Sequence, residues 1–207
     1  MEKKVATSAI ARHVRAVHAA LERHGLLLVQ AREASLVTLV AGESLRSSWW
    51  GHPQAHTIFR VLNEVTRHPD VVTAKLVAGK VTLVHRRLWP ALLAVATALE
   101  SWQTRGLSAP ARRLLKQLEV EPWVLASGAP IRELERRLLL RSEEVHTDSG
   151  EHRLRVERWE AWAERVGCRP VESLTASKLE LLRAVQGLGA SVSALPWYTP
   201  PRHRGPA

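Results

Sequence analysis

Lys75, Lys80, His85, Arg86 and Arg87 gather around one short turn, inside Val71 to Leu99, a window with no acidic residue. Cations collected without acids suit phosphate contact, which positions a nucleic acid without reading its sequence. A second set, Arg132, Arg136 and Arg137, falls on the outward face of an expected helix, where Arg can pair with guanine O6 and N7 in a major groove. Glu133 and Glu135 interleave with them, so a partner-helix or solvent-facing role fits equally well. Arg153 and Arg155 alternate with apolar residues along an expected strand. Trp49 and Trp50, beside Gly51-His52-Pro53, are either a stacking pair for a distorted base step or loop anchors with hydrated N–H groups.

Other chemistries find less support. His52 and His56 have the i, i+4 spacing of two ligands on one helix face, but zinc needs a third. No His-Glu-x-x-His and no paired cysteine occurs, so no metal and no cofactor is expected. Cys168, the single thiol, excludes an internal disulfide framework. Phosphate-cradling glycine loops of the G-x-x-x-x-G-K-[ST] and G-x-G-x-x-G types are absent. So is the serine-hydrolase elbow G-x-S-x-G.

Hydrophobic spacing sets the elements that must carry these groups. Ile10, Val14, Val17 and Leu21 predict a helix over about 8–24, stopped by Gly25. Leu26 to Val29 is too short to assign. Leu36-Val-Thr-Leu-Val favours a strand. Residues 44–53 read as irregular, and Pro53 opens a helix to about Arg67. Val71 to Leu76 and Lys80 to His85 flank Ala78-Gly79 as a hairpin, followed by an apolar helix over 88–99. Helices over 111–119 and 131–140 then precede a hairpin, 143–147 and 151–158, turning at Asp148-Ser149-Gly150. That order is the order of a winged helix whose middle helix is missing or reduced to residues 123–127. Short helices over 157–166 and 177–186 follow, with Trp89, Trp159 and Trp162 expected in the core. The sequence shows no internal repeat.

The 207 residues carry 30 Lys and Arg against 20 Asp and Glu, for a net charge of +10. Arg outnumbers Lys 24 to 6, a bias that genomic base composition alone can produce. A surplus of this size still favours a polyanionic partner, because neutralised phosphates release counterions. Residues 1–106 hold 14 basic and 7 acidic residues, whereas 107–169 hold 12 and 11. The positive field therefore belongs to the first half, where a second acid-free window, Ser44 to Asn63, contains Arg46 and Arg60. No secretory leader and no membrane-spanning apolar run is visible, which predicts a soluble, cytoplasmic protein.

Ser44-Leu45 with its Trp-rich loop, Ala74-Lys75-Leu76-Val77-Ala78-Gly79-Lys80-Val81-Thr82, Leu88-Trp89-Pro90-Ala91-Leu92-Leu93-Ala94, and Leu107-Ser108 with Arg112-Arg113-Leu114-Leu115 follow one another in a familiar order. Over roughly residues 20–165 this resembles the AlkZ/YcaQ-related winged-helix DNA glycosylases. The resemblance implies tandem winged-helix-like units around a duplex-DNA channel, and N-glycosylase activity in its characterised members. Those members place catalysis on a Gln-x-Gln or Gln-x-Asp pair. Gln30-Ala31-Arg32 matches only the first position. Arg32 offers donors and no acceptor, so it cannot position a water as a carboxamide or carboxylate would.

The expectation is a mainly helical α+β protein with winged-helix-like units and short β-hairpins. Its expected divisions are a basic α/β unit at 1–106, a winged-helix-like unit at 107–169, a C-terminal helix at 170–195 and a disordered tail at 196–207. Duplex DNA is the expected partner and no membrane is. Base removal, with Gln30 as the weak catalytic candidate, stands beside two alternatives: a transcriptional regulator without enzymatic activity, and a protein-interaction module.

Overall fold

The computed structural model describes residues 2–32, 34–146 and 152–198. Helix α1 (Glu2–His24) leads through Gly25 into β1 (Leu26–Leu28), all three of whose side chains are buried. Next come α2 (Leu36–Ala41), a 3-10 turn (Trp49–Gly51) and α3 (Ala55–Thr66). Strands β2 (Val71–Val77) and β3 (Lys80–His85) form a hairpin, and β1 pairs with β3 on its other side, so the antiparallel sheet runs β1-β3-β2. A 3-10 turn at Arg86–Leu88 feeds α4 (Trp89–Ala96), buried at every residue but Pro90, and α5 (Ser101–Thr104).

The second unit repeats this plan in different residues. Helix α6 (Ala109–Val120) leads into β4 (Val124–Ala126), then α7 (Ala129–Arg136) and the hairpin β5 (Arg141–His146) with β6 (His152–Glu157). Its sheet runs β4-β6-β5. In both sheets a three-residue strand pairs with the second arm of the hairpin, Leu26–Leu28 against Thr82–Val84 and Val124–Ala126 against Leu154–Val156. Where the first unit has two helices between its first strand and its hairpin, the second has one.

Two expected elements are corrected. Leu36 to Val40 is a helix: Ser35 Oγ accepts from Thr38 N–H at 3.1 Å while Thr38 Oγ1 accepts from Ser35 N–H at 2.8 Å. That reciprocal cap satisfies donors a helix start leaves open and outweighs the strand preference of Val and Thr. Residues 123–127 hold no reduced helix; Val124–Ala126 is the edge strand β4. The expected turn at 148–150 lies outside the described residues, as do residues 199–207 of the expected disordered tail. Of the described part of that tail, Trp197 packs against the first core.

The two cores do not divide where composition does. The second contains only residues from Leu107 to Val156. Helices α8 (Trp159–Val166) and α9 (Leu174–Gly187) return to the first core, so the expected break at 169 falls after α8 rather than before it. Trp162 meets Trp89 and Trp159 edge-on, with ring centroids 4.9 and 5.5 Å apart. At the junction of the units, buried Gln103 donates to the carbonyls of Ala96 (3.0 Å) and Arg137 (3.3 Å). Among the described residues, no helix is long and apolar enough to cross a membrane.

Candidate nucleic-acid interface

The hairpin turn is built from Ala78 (φ 52°) and Gly79 (φ 66°), both left-handed, as a two-residue turn matching strand twist requires. It holds Lys75 and Lys80 on adjoining strands at one end of the sheet. The loop after β1 brings Gln30 and Arg32 to the same end, and the segment after α2 brings Arg46 and Trp49. Together they line a cleft of about 510 Å³. The side-chain amide of Gln30 donates to the Ser47 carbonyl at 2.6 Å, which ties the two loops together and fixes which way the amide faces.

The charges around this cleft are unequal. Lys75 is spoken for, its ammonium 2.9 Å from the Glu135 carboxylate of α7. Arg32, Arg46 and Lys80 are exposed and, among the described residues, meet no carboxylate within ion-pair distance. Trp49 is buried and Trp50 is 65% exposed, stacked on it with centroids 4.0 Å apart and 5.9 Å from the Phe59 ring of α3. The two rings thus divide the roles weighed for them: one anchors the loop and the other faces solvent.

The acid-free window around the hairpin does not make one patch. His85, Arg86 and Arg87 sit at the far end of β3 from Lys80. Arg86 pairs with Asp70 at 2.9 Å, and Arg87 donates to the Arg23 carbonyl at the end of α1 at 3.1 Å. Burial pushes His85 below the usual imidazole range.

The second unit's arginines are largely engaged. The Arg137 guanidinium donates to the carbonyls of Trp102 (3.3 Å), Gln103 (3.2 Å) and Arg105 (2.6 Å), so it faces the junction and not solvent. Arg136, though exposed, lies beside Gly79, where a Cβ would come within 3.4 Å of its chain. Arg132 points outward and is exposed. On the central strand β6, Arg155 lies 5.0 Å over the Trp123 ring, and Arg153 is exposed but partnered.

Sequence reasoning missed Arg32 and Arg46 as cleft residues, together with the outward face of α3. That face carries exposed His56, Phe59, Arg60 and Glu64, with Arg67 just past its end. The available signal was the acid-free window 44–63, which holds Arg46 and Arg60. His52 contacts Glu43 at 3.2 Å, and among the described residues no cluster of ligating side chains could hold a metal ion. Burial raises the Cys168 thiol above its usual range. The chain matches no family model, no curated protein and no solved structure.

Proposed function

We propose that this protein binds duplex DNA through its first unit, as a winged-helix protein does. The observation that carries the reading is the chain order helix–strand–helix–helix–hairpin with sheet order β1-β3-β2. In that plan α3 is the helix that enters a groove, and the 78–79 turn is a short wing. Its supports are the exposed Arg60 on α3, Arg67 just past its end, and the exposed cations Arg32, Arg46 and Lys80 beside the wing. Among the described residues the second unit has no comparable helix to offer, because α7 rests on the first hairpin, with Glu135 on Lys75 of β2 and Arg136 beside Gly79 of the turn. Groove reading therefore shifts from α7, where the sequence pattern placed it, to α3.

The test is binding of a labelled duplex between about 50 and 200 mM salt, with log K expected to fall against log salt by about 0.9 per phosphate contacted. Arg60→Ala is expected to lower that slope by about one such contact. No binding at the low-salt end overturns the reading and leaves a basic interaction module.

A second reading, removal of a damaged base, is favoured by one observation. Gln30 lines the cleft with its amide nitrogen committed to Ser47, which leaves Oε1 to orient a water. Here Gln30→Ala abolishes base release from a damaged duplex while binding stays near wild type; a variant with full rate rejects the role.

A further inference from the structure

We propose that the cleft between the β1–α2 loop, the Trp49 segment and the wing is a receptor for the 5′-phosphomonoester of a nucleotide. The charge count comes first. Arg32, Arg46 and Lys80 converge on one concavity without carboxylate partners among the described residues. A bridging phosphodiester brings one negative charge, whereas a monoester brings about 1.5 to 2 at pH 7 and three acceptor oxygens. Three cations in one cleft match the second better than the first, and the two guanidinium groups can each engage it through paired N–H donors.

The shape argues for more than a phosphate. About 510 Å³ leaves room for a sugar and a base, and the lining includes the apolar side chains of Val29, Leu45, Trp49 and Val81. The one neutral polar side chain there is Gln30. Its amide nitrogen donates to the Ser47 carbonyl at 2.6 Å, which leaves Oε1 as an acceptor for a ligand. An acceptor beside an apolar wall suits the N–H edge of a base. The phosphate can belong to a free mononucleotide or to the end of a strand, and the cleft does not depend on the duplex interior being bound.

Calorimetry on the full chain with dAMP, deoxyadenosine and deoxyribose 5-phosphate tests the free ligand. Polarisation with one duplex, 5′-phosphorylated or 5′-hydroxyl, tests the strand end. The expected result is a preference of about tenfold or more for the phosphorylated probe in at least one arm, abolished by Arg46→Gln or Arg32→Gln. Gln30→Leu is expected to remove the advantage of the phosphorylated nucleotide over its base-free counterpart, deoxyribose 5-phosphate. Arg183→Gln, exposed on α9, changes nothing. A preference in the first arm identifies a free nucleotide, and one only in the second identifies a strand terminus. Equal binding of phosphorylated and unphosphorylated probes in both arms overturns the proposal, whatever the salt slope of the duplex interior. So does a preference that survives both arginine variants.

Discussion

The ammonium of Lys75, on β2, stands 2.9 Å from the carboxylate of Glu135, on α7, and this pair ties the first sheet to the second unit. Glu135 also accepts from Ser142 Oγ at 2.5 Å and is nearly buried, with its side chain 11% exposed. A carboxylate so enclosed is costly to lose singly and cheap to replace together with its partner.

Glu135→Gln is therefore expected to lower stability by about 1–3 kcal/mol, read as a fall in the urea midpoint. It also releases Lys75 toward the cleft, so the salt slope for DNA is expected to steepen by about one phosphate. Replacing both as Lys75→Met with Glu135→Leu should recover much of the lost stability. An additive loss would show that the pair is not coupled.

Trp50 and Trp49 separate binding from folding. Trp50→Ala removes an exposed ring, with a stability change of about 0.5 kcal/mol or less. If the ring stacks on a base, affinity for nucleic acid falls by a factor worth about 1–3 kcal/mol. Trp49→Ala instead opens the core and costs about 3–5 kcal/mol. Equal effects on both readouts for Trp50 would make it a loop anchor.

Of the described glycines, Gly25 leaves the least room for a side chain. Its φ is 79°, and a Cβ there would lie 2.6 Å from Leu88 Cδ1 and 2.8 Å from an Arg87 nitrogen. Gly25→Ala combines left-handed strain with overpacking and is expected to cost about 2–4 kcal/mol. At the 78–79 hairpin turn the opposite change helps: Ala78, at φ 52°, becomes unstrained as Gly, and Ala78→Gly should stabilise by up to about 1 kcal/mol. Chemical denaturation of the two variants gives both signs.

The histidines near the far end of β3 are expected to make stability depend on pH. His18 lies against His68 with ring centroids 4.2 Å apart and planes tilted by 55°, and its Nε2 is buried with no hydrogen-bond partner among the described residues. Burial first, then the neighbouring His68, holds His18 below the usual imidazole range, outweighing Glu22 and Asp70, and burial lowers His85 as well. With folded values depressed, the unfolded chain binds more protons as pH falls through about 6.5, so stability is full above that pH and declines below it. The urea midpoint is expected to drop between pH 7.5 and 5.5. His18→Phe should flatten that dependence; a slope unchanged by this variant assigns it to other groups.

Much of the fold was legible where the signal is local. Alternation located the strands of both hairpins, and hydrophobic spacing located helices α4 and α6. The misreadings came from competition and distance. At Ser35 a reciprocal cap overrode β-branched preference across a stretch too short for its periodicity to decide. Edge strand β4 depends on β6, nearly thirty residues away, and nothing in Val124-Leu-Ala announces that pairing. The repeat of the two units was invisible because topology is shared and residues are not. In the cleft, Lys75 and Lys80 could be paired because one turn joins them. Arg32 and Arg46 arrive on separate loops. The engagement of Arg86, Arg87 and Arg137 by Asp70 and by backbone carbonyls is likewise a product of tertiary contact.

The return of α8 and α9 to the first core bears on the order in which the protein is made. The core of residues 107–156 is continuous in the chain and can close once Val156 has left the ribosome. The larger core waits for Leu181, Val185, Leu188 and Leu195, so the unit begun first is the one completed last. During synthesis its sheet and α4 emerge with part of their apolar cover still untranslated. In the finished molecule the second unit is an insert, bracketed on both sides by the body it interrupts.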